Sequence, residues 1–461
     1  MSAWPDAAAA AADPVALVAR ELRARLMGVA HARRIVACSG GLDSSVLLTV
    51  LARLHAAEGM APPRALHVDH GLQAASADWA EALRARCASL GVPFEVRKVV
   101  VERSDAGLEA DARLARYAAF ADALGNGDTL LLAHHRDDQA ETVLLRLLRG
   151  AGPAGLSGMP MRRALGRASL GRASPGRASP GRGAPARSEI LRPLLDLERR
   201  ELIAAARALE LEVSEDPSNA LMHHDRNYLR HTVLPALEQR WPGYRQTFAR
   251  AASACAEQER ALADLLGPQP TTLPVAELAG APELAAVRVR HWLAALGVPA
   301  PGRTQLMEIL AQKDARDGAM VCIEFDRWQV RRFAGALHAV PRSRPPLPVA
   351  PGFWQPPAPK DLGHGQLQAE PTLGAGLMRL DEPLEIRFRS GGERLRPAGR
   401  AGHRPLKDLF QEAGVPPWER DRLPLLWVAG ELVAVAGLYV AEGWQAPPET
   451  PGWHLFWTPV D

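Results

Sequence analysis

Three short polar motifs contain the residue types that could carry out chemistry in this chain. SGGLDS occupies residues 39–44, HVDHGL residues 67–72 and HHRDDQAET residues 134–142. Each motif lies at the end of an apolar run with the length and composition of a buried β-strand. Glycines, hydroxyls, carboxylates and imidazoles at strand ends commonly bind phosphates, metal ions or cationic substrates. We therefore expect a site where these strands end.

The SGGLDS motif predicts a phosphate-binding turn between a strand and a helix. It consists of Ser39, Gly40, Gly41, Leu42, Asp43 and Ser44, and the helix-forming run LLTVLARL follows it. Backbone N–H groups at the positive end of a helix favour an anion there. The motif lacks the lysine of the GxxxxGKS loop and differs from GxGxxG; it is typical of ATP-pyrophosphatases, which cleave ATP between the α- and β-phosphates. A plain turn capped by Asp43 is the less favoured interpretation.

Histidines and acids of the other two motifs allow a metal centre. They are His67, Asp69, His70, His134, His135, Asp137 and Asp138. Imidazole and carboxylate ligands together suit zinc or iron. Histidines at strand ends are as often hydrogen-bonding wall residues, and a nucleotide already requires a cation, normally Mg²⁺ with carboxylate and water ligands. A zinc or iron centre is therefore the less favoured interpretation.

Two further pairs of charged residues share a helical face. Asp138 and Glu141 are three residues apart in a run that starts at a strand end and continues as a helix. They are either N-terminal charges stabilised by the helix dipole or a clamp for a cationic substrate, and the motif alone leaves both open. Arg113 and Arg116 of ADARLARYAAF are either solvated or positioned to neutralise phosphates of ATP or RNA.

Basic residues are dense near the C-terminus, in FRSGGERLRPAGRAGHRPLKDLF at residues 388–410. The expected phosphate-binding residues there are Arg394, Arg396, Arg400, Arg404 and Lys407. Although the net charge of the chain is only +3, nearly all its cations are arginines, whose planar fork suits phosphate. An ordinary charged surface is the less favoured interpretation of this segment.

The three motifs require a scaffold that brings strand ends together. The runs RRIVACS, RALHVDH, FEVRKVVV and TLLLAHH have strand character, and helix-spaced apolar residues lie between them. This alternation predicts βαβ units, and hence an α/β fold with a parallel sheet and helices on both faces. Ligands of such sheets bind at the carboxyl ends of the strands, where the motifs stand.

The composition favours a multidomain protein of a reducing compartment. The chain has 461 residues, 47% of them hydrophobic, and domains of about 100–200 residues are usual. Its cysteines form no CxxC pair, so neither a disulfide framework nor a zinc or iron–sulfur site is indicated. We see no signal peptide and no apolar stretch of membrane-spanning length, and we expect a cytoplasmic protein without a membrane partner.

Changes of composition divide the chain into segments. We predict an N-terminal helical extension over residues 1–30, a catalytic α/β domain over 31–235, a helix-rich domain over 236–340, a Pro-rich linker over 341–375 and a small basic α+β domain over 376–461. Residues 162–187 carry a five-residue Arg-Ser-Pro repeat and predict a disordered insertion within the catalytic domain. A basic tail for RNA is the less favoured interpretation of this insertion.

The motifs, taken in order, resemble the tRNA(Ile)-lysidine synthetases of the ATP-pyrophosphatase (PP-loop) superfamily, which have an adenine nucleotide alpha hydrolase-like domain. They are SGGLDSS, HVDHGL, ARLARYAAF, AHHRDDQAETVLLRLLRGAGPAGLSGM, RPLL, EDPSN and DRNYLRHTVLP. The segment SGGERLRPAGRAGHRPLKDLFQEAGVPPWERDRLPLL resembles the C-terminal domain of that family. Single motifs are shared across the superfamily, whereas the ordered set is specific and covers most of the chain.

The resemblance implies a two-step reaction on the tRNA that reads AUA. ATP first adenylates O2 of the wobble cytidine in a CAU anticodon and releases pyrophosphate. The ε-amine of free L-lysine then displaces AMP and gives lysidine, which changes the codon read from AUG to AUA. The implied partners are this tRNA and lysine; a homodimer is compatible with the sequence, which does not demonstrate one.

The resemblance also implies roles for particular residues. Residues 39–44 are expected to bind ATP with Asp43 as a ligand of Mg²⁺, and Asp138 and Glu141 to bind lysine. The expected catalytic residues are Asp43, Asp69, His70, Arg113 and Arg116, of which Asp69 and His70 are candidates for proton transfer. The five basic residues of segment 388–410 are expected to contact the tRNA.

Two rival functions are compatible with parts of the sequence. A PP-loop tRNA thiolase is one, but such enzymes commonly use cysteine pairs, and the CxxC arrangement is missing. A non-catalytic RNA-binding protein with a relic nucleotide loop is the other, and the intact SGGLDS and DDQAET motifs argue against decay.

Overall fold

The computed structural model of the protein describes residues 13–27, 33–71, 76–101, 107–165, 188–212, 225–316, 321–344, 347 and 352–459. The chain forms two compact units: unit 1 comprises Met1–Pro270 and Arg290–Ala300, and unit 2 comprises Thr271–Val289 and Pro301–Asp461. In the described part of the chain, no helix is both long enough and apolar enough to cross a membrane.

Unit 1 is built on a mostly parallel sheet. Its strands are β1 (Arg34–Ala37), β2 (Arg64–Asp69), β3 (Phe94–Lys98), β4 (Thr129–Leu131), β5 (Arg162–Ala164) and β6 (Glu189–Leu191), in the order β3-β2-β1-β4-β6-β5. All neighbours are parallel except β5 and β6. The parallel α/β fold expected from the sequence is thereby confirmed, and β1 to β4 lie within the four predicted runs.

Helices pack against both faces of this sheet. The helices of unit 1 are α1 (Pro14–Leu26), α2 (Leu42–Ala57), α3 (Ser76–Ser89), α4 (Leu108–Ala123), α5 (Arg136–Leu148), α6 (Pro153–Leu156), α7 (Arg199–Ala208), α8 (Asp225–Tyr228), α9 (Leu234–Arg240) and α10 (Tyr244–Leu266). A single π-helical turn, Leu229–Val233, joins α8 to α9. Leu22 of α1, Leu51 of α2 and Leu202 of α7 are buried in one core, and Phe120 of α4 is buried with Ile190 in another.

Two predicted boundaries differ from the structure of unit 1. The expected N-terminal extension contains α1, which is packed in the core rather than appended to it. Helix α10, which follows the predicted end of the catalytic domain at residue 235, also belongs to unit 1, where Tyr244 packs with Ala140 of α5 and Leu234 of α9. The predicted insertion starts too early: Arg163 of β5 pairs with Ile190 of β6, while residues 166–187 lie outside the described part of the chain.

The first part of unit 2 contains a small antiparallel sheet. The elements of this region are β7 (Thr272–Pro274), a 3-10 turn (Val275–Leu278), α11 (Pro282–Ala295), whose residues from Arg290 onward belong to unit 1, α12 (Arg303–Ala311), a 3-10 turn (Gln312–Asp314), β8 (Cys322–Phe325), β9 (Trp328–Phe333) and β10 (Ala336–Pro341). The strand order is β7-β10-β9-β8. The segment 236–340, predicted as helix-rich, contains α10, α11 and α12 together with the strands β7 to β10.

The C-terminal part of unit 2 is mainly antiparallel β-structure. Its strands are β11 (Gly352–Trp354), β12 (Lys360–Asp361), β13 (Gly365–Leu373), β14 (Leu377–Met378), β15 (Leu384–Arg387), β16 (Arg394–Leu395), β17 (Arg404–Pro405), β18 (Leu425–Val428), β19 (Glu431–Val435), β20 (Tyr439–Val440) and β21 (Pro451–Pro459). The helices α13 (Leu406–Glu412) and α14 (Pro417–Arg420) lie between β17 and β18. The sheets are β11-β15-β18-β19-β20, β12-β13-β21-β14 and β16-β17.

The prediction of a Pro-rich linker over 341–375 is wrong for much of its length. β11 pairs with β15, and β13 pairs with β21 from Gly365 to Leu373. Trp354 and Leu367 are buried in the same core as Leu384 and Leu455. The density of proline in this segment suggested a linker, but β21, the pairing partner of β13, begins at Pro451, 78 residues after the end of β13 at Leu373, and cannot be recognised from the local sequence.

Candidate active site

The SGGLDS turn lies between β1 and α2, as predicted. Gly40 has a φ of +90°, a backbone conformation that favours glycine, and Gly41 is the N-cap of α2. The two serines hold the turn together: Ser44 Oγ donates to the carbonyl of Gly41 at 3.1 Å and lies 3.3 Å from Ser39 Oγ. The turn therefore presents the N-terminus of a buried helix at the carboxyl edge of the sheet, where an anion is favoured.

Asp43 is placed in the first turn of α2 with one oxygen available. Its Oδ1 is buried and has no hydrogen-bond partner among the described residues, while Oδ2 lies 3.6 Å from Nε2 of His135. An unpartnered buried carboxylate oxygen beside a phosphate-binding turn fits a cation ligand. Among the described residues, no three His, Cys, Asp or Glu side chains come together in a way that could hold a metal ion.

His135 connects the turn to helix α5. Its side chain is 2% exposed, and Nε2 lies 3.4 Å from Asp138 in addition to its contact with Asp43. Nδ1 lies 3.7 Å from Asp137. Burial lowers the pKa of His135, but Asp138, Asp43 and Asp137 outweigh burial and raise it above the ordinary value. The imidazole of His135 thus links the acid of the first motif to the acids of the third, a bridge that the sequence alone did not reveal.

The HVDHGL motif forms the neighbouring strand end. Nδ1 of His67 lies 2.8 Å from the carbonyl oxygen of Cys38, so this histidine is part of the wall behind the turn. Asp69 accepts the N–H of Gly71 at 2.9 Å. Burial, then Arg116 and His67, lowers the pKa of His70 against the opposing effect of Asp69. This lowered pKa favours the neutral form of the His70 imidazole.

Arginines from several elements surround Tyr117 of α4. Arg113 donates to the Tyr117 hydroxyl at 3.4 Å, and its guanidinium lies 5.0 Å from the ring centre. Arg163 lies 5.6 Å from the same ring centre, and Arg192 is 2% exposed. Burial raises the pKa of Tyr117, but Arg113, Arg192, Arg116 and Arg163 outweigh it and lower the pKa below its ordinary value.

This arginine cluster extends the predicted pair Arg113 and Arg116. Arg192 belongs to the RPLL motif, which was recognised but given no role, and Arg163 lies in the segment predicted to be disordered. Such a concentration of guanidinium groups favours a phosphate. The neighbouring His134 stays neutral: burial lowers its pKa to about 3, Asp138 opposes this shift, and Arg192 and Arg226 add to it.

The predicted lysine-binding acids form ion pairs with two arginines. Arg226 donates to Glu141 at 2.7 Å and to Asp138 at 3.1 Å. Arg230, in the π-helical turn, donates to Glu141 at 2.6 and 2.9 Å and to Asp138 at 3.3 Å. Burial raises the pKa of Asp138, but His135, Arg226 and His134 outweigh it and bring the pKa to about 2. We call these four residues the acid–arginine quartet.

The quartet differs from the predicted lysine clamp, because its acids already form ion pairs with arginines of the chain. Glu141 is 1% exposed and both of its oxygens accept hydrogen bonds from arginine. Arg226 and Arg230 belong to DRNYLRHTVLP, a motif that carried the family resemblance but had no assigned role. The interval of about ninety residues between acids and arginines explains why sequence spacing gave no sign of the quartet.

The basic residues predicted to bind tRNA lie around β16, β17 and α13 of unit 2. Arg400 and Arg404 both pair with Glu412, at 2.5 and 2.6 Å. Arg394 donates to the carbonyl of His403 at 2.8 Å, and Arg396 to that of Arg400 at 3.2 Å. Lys407 is exposed. The arginines are therefore held by local contacts, and Glu412, which orients two of them, was not predicted.

Comparison with protein families matches three regions of the chain. The PP-loop domain matches residues 15–237, the TilS substrate binding domain residues 273–338 and the TilS substrate C-terminal domain residues 384–457. The first match begins in α1 and ends at residue 237, close to the predicted end of the catalytic domain at residue 235.

Curated relatives match nearly the whole chain. The tRNA(Ile)-lysidine synthase of Alkalilimnicola ehrlichii is 44% identical over 428 residues, 90% of this chain and 91% of the relative. The tRNA(Ile)-lysidine synthase of Serratia proteamaculans is 38% identical and covers 94% of this chain and 97% of its own. Among solved structures, a U34-tRNA thiolase NcsA from Methanococcus maripaludis matches with a TM-score of 0.40 and 18% identity, over 53% of this chain and 80% of that chain.

Proposed function

The chain belongs to the tRNA(Ile)-lysidine synthase family, and on this premise we propose that it joins L-lysine to the wobble cytidine of a tRNA(Ile) with a CAU anticodon. The reaction consumes ATP and yields lysidine, AMP and pyrophosphate. The observation that carries this proposal is the position of His135, whose imidazole contacts both Asp43 of the SGGLDS turn and Asp138 of α5. One side of the bridge suits nucleotide activation and the other suits an amino acid substrate.

Adenylation is assigned to the SGGLDS turn. The backbone of residues 39–44 and the N-terminus of α2 bind the phosphates of ATP. Asp43, whose Oδ1 has no hydrogen-bond partner among the described residues, would hold Mg²⁺. Such an ion would supply positive charge for the departing pyrophosphate. Arg113 and Arg116, supported by Arg163 and Arg192, stabilise the phosphate of the adenylated cytidine.

Lysine then attacks C2 of the activated cytidine. A bond forms between the ε-nitrogen and C2, the bond from C2 to O2 breaks, and O2 leaves as part of AMP. The attacking amine loses a proton, for which Asp69 and the neutral His70 at the end of β2 are the candidate acceptors. The acids Asp138 and Glu141 contribute to the lysine site through the quartet.

Unit 2 supplies discrimination among tRNAs. A CAU anticodon also occurs in methionine tRNAs, so contacts outside the anticodon must contribute. RNA helices are recognised through shape, phosphates and 2′-hydroxyls, which suits the residues Arg394, Arg396, Arg400, Arg404 and Lys407. We place the reaction in the cytoplasm, where its substrates occur; a homodimer stays a prediction.

Lysine incorporation tests this function directly. Purified protein is incubated with ATP, radiolabelled lysine and a tRNA(Ile) transcript that has a CAU anticodon. ATP-dependent labelling of this tRNA, and none of a transcript with G at the wobble position, is the expected result. Sulfur transfer or simple tRNA binding without labelling would support one of the rival functions instead.

A further inference from the structure

Tyr117 of α4 is a buried tyrosine whose ring and hydroxyl both contact arginines. The residue is 4% exposed. Arg113 lies four residues earlier on the same face of the helix. Its guanidinium is 5.0 Å from the centre of the Tyr117 ring and donates to the hydroxyl at 3.4 Å. The guanidinium of Arg163 in β5 lies 5.6 Å from the same ring centre, so one aromatic side chain contacts cations from two elements.

Arg192, which follows β6, is a third cation at Tyr117 and is 2% exposed. Its Nη1 donates to the carbonyl of Pro160 at 2.7 Å, and its buried Nε has no hydrogen-bond partner among the described residues. Burial lowers the pKa of Arg192, and Tyr117 opposes this shift through electrostatic attraction and a side-chain hydrogen bond. The Tyr117 hydroxyl therefore provides an acceptor for a buried charge that the rest of the described chain satisfies only in part.

Arg113 differs from Arg192 because its side chain is exposed. Among the described residues it forms no ion pair with a carboxylate, and its guanidinium is held by the ring and the hydroxyl of Tyr117. A guanidinium has five N–H donors, so a bond to the phenol oxygen leaves donors for an anion. Tyr117 thus orders an arginine that keeps most of its hydrogen-bonding capacity.

The arginine cluster around Tyr117 lies at the carboxyl edge of the sheet. Burial lowers the pKa of His134, which follows β4, and of His70, which follows β2. Arg192 and Arg113 add to this shift at His134, and Arg116 adds to it at His70. Since β1 lies between β2 and β4 in the sheet, these arginines flank the strand that leads into the SGGLDS turn.

The proposed adenylation requires fixed cations at this place. O2 of the cytidine forms a bond to the α-phosphorus of ATP, and the bond from that phosphorus to the bridging oxygen of pyrophosphate breaks. The phosphoryl oxygens carry negative charge throughout, and donors that are already in position stabilise the transition state best. An exposed arginine without a holding contact would have to be ordered during the reaction, which reduces its contribution.

We propose that Tyr117 is a positioning residue for adenylation, which holds the exposed guanidinium of Arg113 for the α-phosphate while its hydroxyl also satisfies the buried Arg192. This inference rests on the proposed function and adds Tyr117 to the residues that determine the rate of its first step. Arg113 contacts the phosphate, and Tyr117 acts through Arg113.

Y117F tests this role because it removes the hydroxyl and keeps the ring. Pyrophosphate release from ATP and a tRNA(Ile) transcript with a CAU anticodon is measured in a single turnover without lysine. The maximal rate should fall about 10-fold, as for loss of a hydrogen bond to a charged group, while the ATP concentration that gives half the maximal rate stays unchanged. Y117L also lacks the ring and should be about 3-fold slower still, as for loss of a cation–π contact.

Y244F is the matched control. Tyr244 is also 4% exposed and belongs to unit 1, but its hydroxyl has no hydrogen-bond partner among the described residues. Y244F should therefore release pyrophosphate at the wild-type rate. R113A supplies the second comparison: adding Y117F to R113A should cause no further loss of rate, because Tyr117 acts through Arg113.

Three results would overturn the inference. They are equal rates for Y117F and Y244F, a change in Y117F confined to the half-maximal ATP concentration, and losses of rate in Y117F and R113A that multiply in the double variant. Multiplied losses would show that the hydroxyl has only a structural role. A wild type that releases no pyrophosphate with this tRNA would instead refute the proposed function.

Discussion

Ser-Gly-Gly occurs at residues 39–41 and again at residues 390–392, and the carboxylate that follows it has opposite surroundings in the two places. Asp43 Oδ1 is buried and has no hydrogen-bond partner among the described residues. Glu393 accepts the backbone N–H groups of Ser390 and Gly391 at 2.6 and 2.9 Å. The first loop leaves its acid available to a ligand, whereas the second uses its acid to close the loop. A Gly-rich tripeptide therefore indicates a ligand-binding site only where a nearby acid lacks hydrogen-bond partners in the protein.

Arginine–carboxylate pairs show the same contrast between unit 1 and the C-terminal part of unit 2. Glu141 is 1% exposed and binds two arginines in the interior. Glu412 is 42% exposed and binds Arg400 and Arg404 at the surface. Buried pairs are rigid and insensitive to salt, while exposed pairs are screened and exchange with water. The buried pairs suit recognition of a small molecule, and the exposed arginines suit a phosphate backbone.

The largest effect on activity is expected when Asp43, the acid of the first Ser-Gly-Gly loop, is removed. D43A should abolish AMP formation, by about 1,000-fold or more, because leaving-group stabilisation by a metal is worth several kcal/mol. AMP is measured by chromatography at saturating tRNA. E393A is the matched control, since it removes the acid of the second loop, and it should retain AMP formation. Equal losses in both variants would contradict the contrast between the loops.

The buried and exposed glutamates provide the next comparison. E141Q leaves two guanidinium groups facing one carboxylate in the interior, and we expect a loss of about 3–5 kcal/mol in the free energy of unfolding of unit 1. E412Q should leave the urea midpoint unchanged, because its pairs with Arg400 and Arg404 are exposed. Similar urea midpoints for the two variants would show that the quartet contributes no more to the free energy of unfolding than an exposed ion pair does.

Acid should destabilise unit 1 through His134. Its pKa of about 3 is below the ordinary value of 6.5, so the neutral form is favoured in the folded state. The free energy of unfolding is therefore highest above pH 6.5 and decreases as the pH falls toward 3. Between pH 6.5 and 5 the expected decrease is about 2 kcal/mol. H134N should flatten this part of a plot of urea midpoint against pH. H403N, at an exposed histidine of unit 2, should retain the wild-type slope.

The smallest effect concerns the surface arginines. Replacement of Arg394, Arg396 and Arg400 together by glutamine should weaken tRNA binding about 10-fold at moderate salt. The slope of log K against log salt should fall by about 2, because fewer counterions are released. Filter binding at several salt concentrations measures both quantities. An unchanged slope would show that these arginines serve only the local contacts seen in the structure.

The local motifs were sufficient to predict the parallel sheet, the strand-to-helix turn and the acids of α5. Strand periodicity and glycine placement depend on residues close in sequence, so the ends of β1, β2 and β4 could be located. Prediction failed where partners are distant: β13 looked like a linker because its partner β21 begins near residue 451, and β5 looked disordered beside a repetitive segment.

By itself, the sequence determined the chemistry available at each strand end and the family to which the motifs point. Only the tertiary structure decided which acids have hydrogen-bond partners. Asp43 Oδ1 has none among the described residues, whereas Glu141 accepts hydrogen bonds from Arg226 and Arg230. The physical reason is that satisfaction of a buried charge depends on groups brought together from distant parts of the chain. Spacing along the sequence can predict that an acid lies on a helix, but only the fold determines whether that acid has a hydrogen-bond partner.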